Sequence, residues 1–167
     1  MKNLELDELT ELFSKLGAND PESWAASQIN EGINQLGRFL FLRQAWKLVV
    51  DEHDTSWIDK EIRESERYPN APCSGIGIAL KNLLADGADK QDITDVVRGM
   101  QYDLLFHLCY LLDYPGELEA EVKDISWGLM QLDENGEIVA PITALDESLL
   151  GTDPTGREMR PRDRAKK

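Results

Sequence analysis

The stretch Asp89-Lys90-Gln91-Asp92-Ile93-Thr94-Asp95-Val96-Val97-Arg98-Gly99-Met100-Gln101-Tyr102-Asp103-Leu104-Leu105-Phe106-His107-Leu108-Cys109-Tyr110-Leu111-Leu112 decides the fold class. Ile93, Val96, Val97, Met100, Leu104, Leu108 and Leu111 recur three and four residues apart, which places them on one face of an α-helix. Pro115-Gly116 ends that helix, because proline cannot continue the hydrogen-bond ladder. From Leu104 onward apolar residues surround the helix, so its C-terminal half is expected to be buried on most sides.

Shorter helices precede it. Leu6, Leu9, Phe13 and Leu16 form one face, and Gly17 is placed for a left-handed cap, giving a first helix over residues 4–16. Asp20-Pro21 starts a second, with Asp20 as N-cap and Pro21 where its missing donor costs nothing. It is expected to run to Val50, with a kink at Gly37 or a second half covered on both sides, its cations Arg38, Arg43 and Lys47 reaching the surface or pairing with carboxylates. Asp54-Thr55-Ser56 caps a third helix that stops before Pro69, and Ser74 a fourth, with Ile76, Ala79, Leu80, Leu83 and Leu84 inward and Gly87 past its end. Residues 118–131 read as a sixth, acidic helix bearing Val122, Ile125 and Leu129, while Leu129 to Ile142 around Asn135-Gly136 also reads as a β-hairpin; a helix to about residue 130 followed by a small turn or hairpin is the favoured form. The fold class is therefore mainly α: a single-domain bundle of five to six helices around a central apolar helix, with a small C-terminal hairpin and a flexible C-terminal tail. The domain spans residues 1–152 and the tail residues 153–167.

The chain has 167 residues, 41% of them hydrophobic and 30% charged, enough to bury a core without disulfides or metals. Its formal net charge of −14 is divided as −17 on the body and +3 on the tail. That balance argues against direct nucleic-acid binding, which needs clustered Lys and Arg to displace counterions. No apolar run approaches the roughly 20 residues of a membrane span, and Met1-Lys2-Asn3-Leu4-Glu5-Leu6-Asp7 lacks the apolar stretch of a targeting signal, so a cytoplasmic location is expected. The two cysteines, Cys73 and Cys109, stand in no Cys-x-x-Cys pair and are expected to be reduced. No metal spacing is found: Asp51-Glu52-His53-Asp54 has ligand types without a recognised pattern. No cofactor is implied either, since Gly75-Ile76-Gly77-Ile78-Ala79-Leu80 has leucine where a dinucleotide loop needs its third glycine, and no strand precedes it. Those glycines instead suit close packing of a helix start on a neighbour.

Two candidates for chemistry remain. His107 lies in the apolar stripe one turn after Asp103, as a catalytic base with its orienting carboxylate would, and as a core histidine satisfied by Asp103 also would. Cys73, beside a helix start, is the one candidate nucleophile. Neither has a nucleophile–base partner in sequence reach, so no catalytic residue is assigned. An enzyme is the less favoured class; its form would be a small hydrolase using Asp103 and His107 in an interhelical pocket.

Carboxylate density is the broadest signal. Asp59, Glu61, Glu64 and Glu66 crowd one helix, and Glu117, Glu119 and Glu121 open the second acidic stretch. Trp57 and Trp127 lie in or beside these stretches as potential anchors. The expected function is an acidic helical interaction protein that binds a basic protein partner through these faces, in physical analogy to bacterial-type immunity proteins and nucleic-acid mimics. A homodimer, or a homo-oligomeric structural module, is compatible with the apolar excess between Leu104 and Leu112.

Overall fold

The computed structural model describes residues 5–116 and 118–162. The described chain is mainly helical, in the order α1 (Leu6–Leu16), α2 (Pro21–Glu31), α3 (Gln35–Ala45), a 3-10 turn (Trp46–Leu48), α4 (Ser56–Arg67), α5 (Gly75–Ala85), α6 (Lys90–Asp113), β1 (Leu129–Leu132), β2 (Ile138–Ile142), α7 (Leu145–Leu149) and a second 3-10 turn (Leu150–Thr152). It divides into two compact units, one of residues 1–47 and 105–167, the other of residues 48–104, with α6 running through both.

In the first unit α1 starts with a capping box in which Glu5 and Glu8 satisfy each other's backbone, and ends at left-handed Gly17. Asp20 accepts the Ser23 N–H with Pro21 at the first helical position, as expected for α2. The long helix expected to reach Val50 is instead two helices. Gly32, at φ 70°, takes a left-handed conformation that a β-carbon disfavours and closes α2. Asn34 then restarts the chain as N-cap of α3, accepting the Gly37 N–H at 3.1 Å, while the Gln28 side chain accepts the Leu36 N–H at 2.8 Å. Side-chain caps therefore move the break ahead of Gly37, and α3 is covered on most sides, burying Gln35, Leu36, Arg38, Phe39, Leu42 and Ala45.

Leu9, Phe13, Ala25, Leu36 and Phe39 form the core of this unit, with Leu12, Leu16 and Trp24 packed against it. The Phe13 ring meets Phe39 edge-on at 5.5 Å between centroids. Trp46 adds a polar tie: its Nε1 donates to the Leu149 carbonyl and the Thr152 hydroxyl, both at 3.1 Å. Hydrogen-bonded structure continues past the expected boundary at residue 152. Asp153 is fully buried, and its carboxylate accepts the N–H groups of Thr155 and Met159 and the Thr155 hydroxyl. Residues 163–167 lie outside the described residues.

The second unit pairs α4 with α5 and α6. Gly77 packs so closely on α4 that its N–H reaches the buried Ser65 hydroxyl at 3.1 Å. The expected Ser74 cap is absent: Ser74 is αR, and its hydroxyl donates to the Pro69 carbonyl. Leu80 is buried, while Ile76 and Leu83, expected inward, are 49% and 47% exposed.

The side of α6 turned inward in this unit carries Thr94 and Arg98, both buried, with Gln101 half-buried. Arg98 Nη1 donates to the Val50 carbonyl at 2.7 Å, the Gln101 side chain accepts the Val50 N–H, and Gln91 donates to the Glu52 carbonyl. A loop backbone placed against a helix needs polar partners. Much of the periodic apolar face of the sequence thus points outward: Val96, Met100 and Leu104 are 63%, 68% and 71% exposed, while Ile93 and Val97 are half-buried. In the first unit Leu105 and Cys109 are buried, but Leu108 and Leu111 are exposed, which corrects the expectation of burial on most sides.

Residues 118–128 are turns and extended chain, where a sixth helix was expected. After them β1 and β2 pair antiparallel about Asn135-Gly136, matching Leu129 with Ile142 and Leu132 with Ile138. No helix of the described residues is long and apolar enough to cross a membrane.

Candidate interaction surface

The hairpin takes its shape from its turn. Asp133 accepts the N–H groups of Asn135 and Glu137 at 2.8 and 2.9 Å, and these bonds hold its carboxyl below the ordinary aspartate pKa. One face of the strands turns inward. Ile142 is 8% exposed, and Gln131 accepts from Asn34 Nδ2 at 2.8 Å.

Alternation then forces Met130 and Leu132 to the other face, where they are 43% and 53% exposed, and a register shift after Gln131 breaks the alternation on β2 and sets Ile138, 70% exposed, opposite Leu132. The outward face of a two-stranded hairpin is ordinarily polar. Here it is apolar, and exposed Glu134 and Glu137 stand next to it in the chain. Trp127, 44% exposed, stands two residues before β1, its indole N–H fixed on the Leu111 carbonyl at 2.7 Å. Exposed Glu119, Glu121 and Asp124 lie in the segment before it, among exposed Val122 and Ile125. Glu117 lies outside the described residues.

The other acidic stretch, on α4, is partly engaged within its own unit. Asp59 pairs with Lys90 at 2.6 Å and Glu66 with Lys81 at 2.7 Å, whereas Glu61 and Glu64 form no ion pair among the described residues. Trp57 is half-buried and donates to the Thr94 hydroxyl at 3.1 Å, a contact that joins α4 to α6. The sequence marks Trp57 and Trp127 alike and gives no sign of Met130, Leu132 and Ile138, because a helical period and a period of two both fit residues 125–142 and only the latter separates outward from inward positions.

The candidates for chemistry are placed as follows. His107 and Asp103 are both exposed on α6. Cys73 is exposed, with left-handed backbone at φ 67°, and Cys109 is buried; the two thiols are free. Among the described residues no group of three or more His, Cys, Asp or Glu is arranged to hold a metal ion.

Burial, aided by the fields of Asp113 and Asp146, pushes the Cys109 thiol up to about 11. The thiolate is the reactive form, so at pH 8 only roughly a thousandth of Cys109 is available to an electrophile. Titration of the native protein with an aromatic disulfide reagent at pH 8 is expected to modify Cys73 rapidly and Cys109 only after denaturant is added. Two fast equivalents in the native state would contradict the burial of Cys109.

Comparison with known proteins brought no match, whether by family model, by curated sequence or by solved structure.

Proposed function

We propose that this chain is an interaction protein that binds a basic protein, and that residues 118–139 are the binding surface. The observation that carries the reading is the outward apolar face of Met130, Leu132 and Ile138, with Trp127 before it and carboxylates at Glu119, Glu121, Glu134 and Glu137 in the same segment. Apolar anchors among acidic groups fit a partner that presents apolar side chains among Lys and Arg. The formal net charge of −14 adds a long-range attraction that draws such a partner in and turns away polyanions. The action proposed is that of an immunity protein or nucleic-acid mimic, occlusion of a basic surface by a complementary acidic one. The α4 carboxylates act as part of the steering field, since Asp59 and Glu66 are held by lysines of the same unit.

The test compares three purified proteins on one support: the wild type, Ile138→Ser, and a charge reversal of Glu119, Glu121, Glu134 and Glu137 to Lys. All four carboxylates and Ile138 are exposed, so each variant is expected to keep the native circular-dichroism spectrum. From the cell of origin at low salt, the wild type should retain a basic protein in near-stoichiometric amount. Ile138→Ser should lose most of it, and the reversal should slow its association severalfold, an effect that fades above about 300 mM salt as screening shortens the field. A basic protein retained equally by all three, or none retained, removes this surface from the account.

A further inference from the structure

α3 exposes a second, unrelated feature inside the first unit. A cavity of about 490 Å³ opens among α2, α3, the end of α7 at Ser148 and the turn around Gly156, with Arg38 and Gln35 in its wall. Both residues are 7% exposed, and both present an unsatisfied polar atom: Arg38 Nε and Gln35 Oε1 are buried without a hydrogen-bond partner. The Arg38 guanidinium makes one hydrogen bond, from Nη1 to the Ser148 hydroxyl at 3.3 Å, and no ion pair among the described residues. Gln35 uses only its amide nitrogen, donating to Ser27 at 2.8 Å.

A buried cation with one neutral partner is costly, as is an amide oxygen without a donor, and folded chains ordinarily pair such groups. Side by side in one cavity, they form a preorganised donor and acceptor. The sequence reading expected Arg38 to reach the surface or to pair with a carboxylate; it does neither, because α3 is enclosed on most sides. Burial lowers the guanidinium pKa from its ordinary value, and the fields of Asp113, Glu147 and Glu31 oppose that shift.

We infer that this cavity binds a small zwitterion of the α-amino acid class, its carboxylate on Arg38 and its ammonium on Gln35 Oε1 and Glu31. Arg38 supplies the forked donor that suits a carboxylate. Glu31, Asp20 and Glu158 also line the cavity, a set that disfavours phosphates and other polyanions and favours a ligand that brings its own positive charge. Of the three, Glu158 is paired with Arg160 and Asp20 caps α2, which leaves Glu31 for the ammonium. The Trp24 ring forms an apolar wall for the ligand side chain, and the volume lies within the range of small-molecule sites.

The experiment is saturation-transfer NMR on the full chain with the proteinogenic L-amino acids, sodium acetate, methylammonium chloride and inorganic phosphate as separate probes. At least one amino acid should receive saturation and bind at least about tenfold more tightly than acetate, methylammonium or phosphate, since each of these satisfies only one end of the site. Arg38→Met should abolish binding while leaving the melting temperature unchanged or higher, because it removes an uncompensated buried charge. Glu31→Gln, an exposed change, should weaken amino-acid binding by about tenfold and leave acetate binding unchanged, which a purely structural Arg38 would not produce. The inference fails if no amino acid binds, if acetate or phosphate binds as well as any amino acid, or if Glu31→Gln leaves amino-acid affinity intact; these outcomes stand even where Arg38→Met does not fold.

Discussion

Replacing Gly77 with alanine is expected to destabilise the chain by about 3–5 kcal/mol, the combined scale of overpacking a tight contact and orphaning a buried N–H. A β-carbon at residue 77 would stand 2.2 Å from the Ser65 hydroxyl oxygen and 2.4 Å from the Glu61 carbonyl oxygen. The second of these is helix backbone, which cannot rotate away, so α5 must move off α4 and lose the Gly77–Ser65 hydrogen bond. Gly75, two residues earlier, has nothing within 4 Å of the same added atom, and alanine there is expected to be neutral or stabilising by about 0.5–1 kcal/mol. Urea unfolding of the two variants checks both statements. Adding Ser65→Gly to Gly77→Ala should recover part of the loss, since it clears the hydroxyl but not the Glu61 carbonyl. Equal stability of Gly75→Ala and Gly77→Ala would mean that α4 and α5 do not meet at this point.

Phe13→Ala is the second large effect, expected at about 3–5 kcal/mol, the range for deleting a buried aromatic ring and leaving its cavity. Phe13 is fully buried, with Phe39 edge-on at 5.5 Å and the Trp24 ring at 5.9 Å. Its loss would uncouple α1, α2 and α3 at the point where all three contribute an aromatic or aliphatic side chain. For a chain of this size the melting temperature should fall by roughly 8–16 °C, read by calorimetry or by the loss of near-ultraviolet signal from Trp24. Phe13→Leu should cost less than half as much, because most of the volume is retained. A fall of under about 2 °C for Phe13→Ala would show that this cluster contributes little to the first unit.

The hairpin surface and the Arg38 cavity place opposite demands on the same unit. The hairpin exposes apolar groups on an acidic segment, while the cavity encloses a cation with one neutral hydroxyl partner. Both run against the ordinary distribution of polar and apolar groups, a departure that the two proposed binding roles would account for. Their tests are independent: Ile138→Ser does not touch the cavity, and Arg38→Met does not alter the outward face of the hairpin.

The residues alone determined the mainly α class, because caps, prolines and three-to-four spacing act locally and leave their mark within one turn of helix. α1 with its Gly17 cap, the Asp20-Pro21 start of α2, the end of α4 before Pro69 and the stop of α6 at Asp113 all follow from such signals. The hairpin about Asn135-Gly136 was legible for the same reason. The helix expected over residues 118–131 was not, since a few apolar residues in a short acidic stretch fit either period. Which face of a helix turns inward was decided only in the tertiary structure. On α6 the sequence favours the apolar side, yet the loop at Val50 and Glu52 brings carbonyl and N–H groups that must be satisfied, and Arg98, Gln101 and Gln91 turn toward them. An unsatisfied buried peptide group costs more than an exposed leucine, so the polar side won. The same physics hid the Arg38 cavity, since nothing local to residue 38 records that α3 would be enclosed.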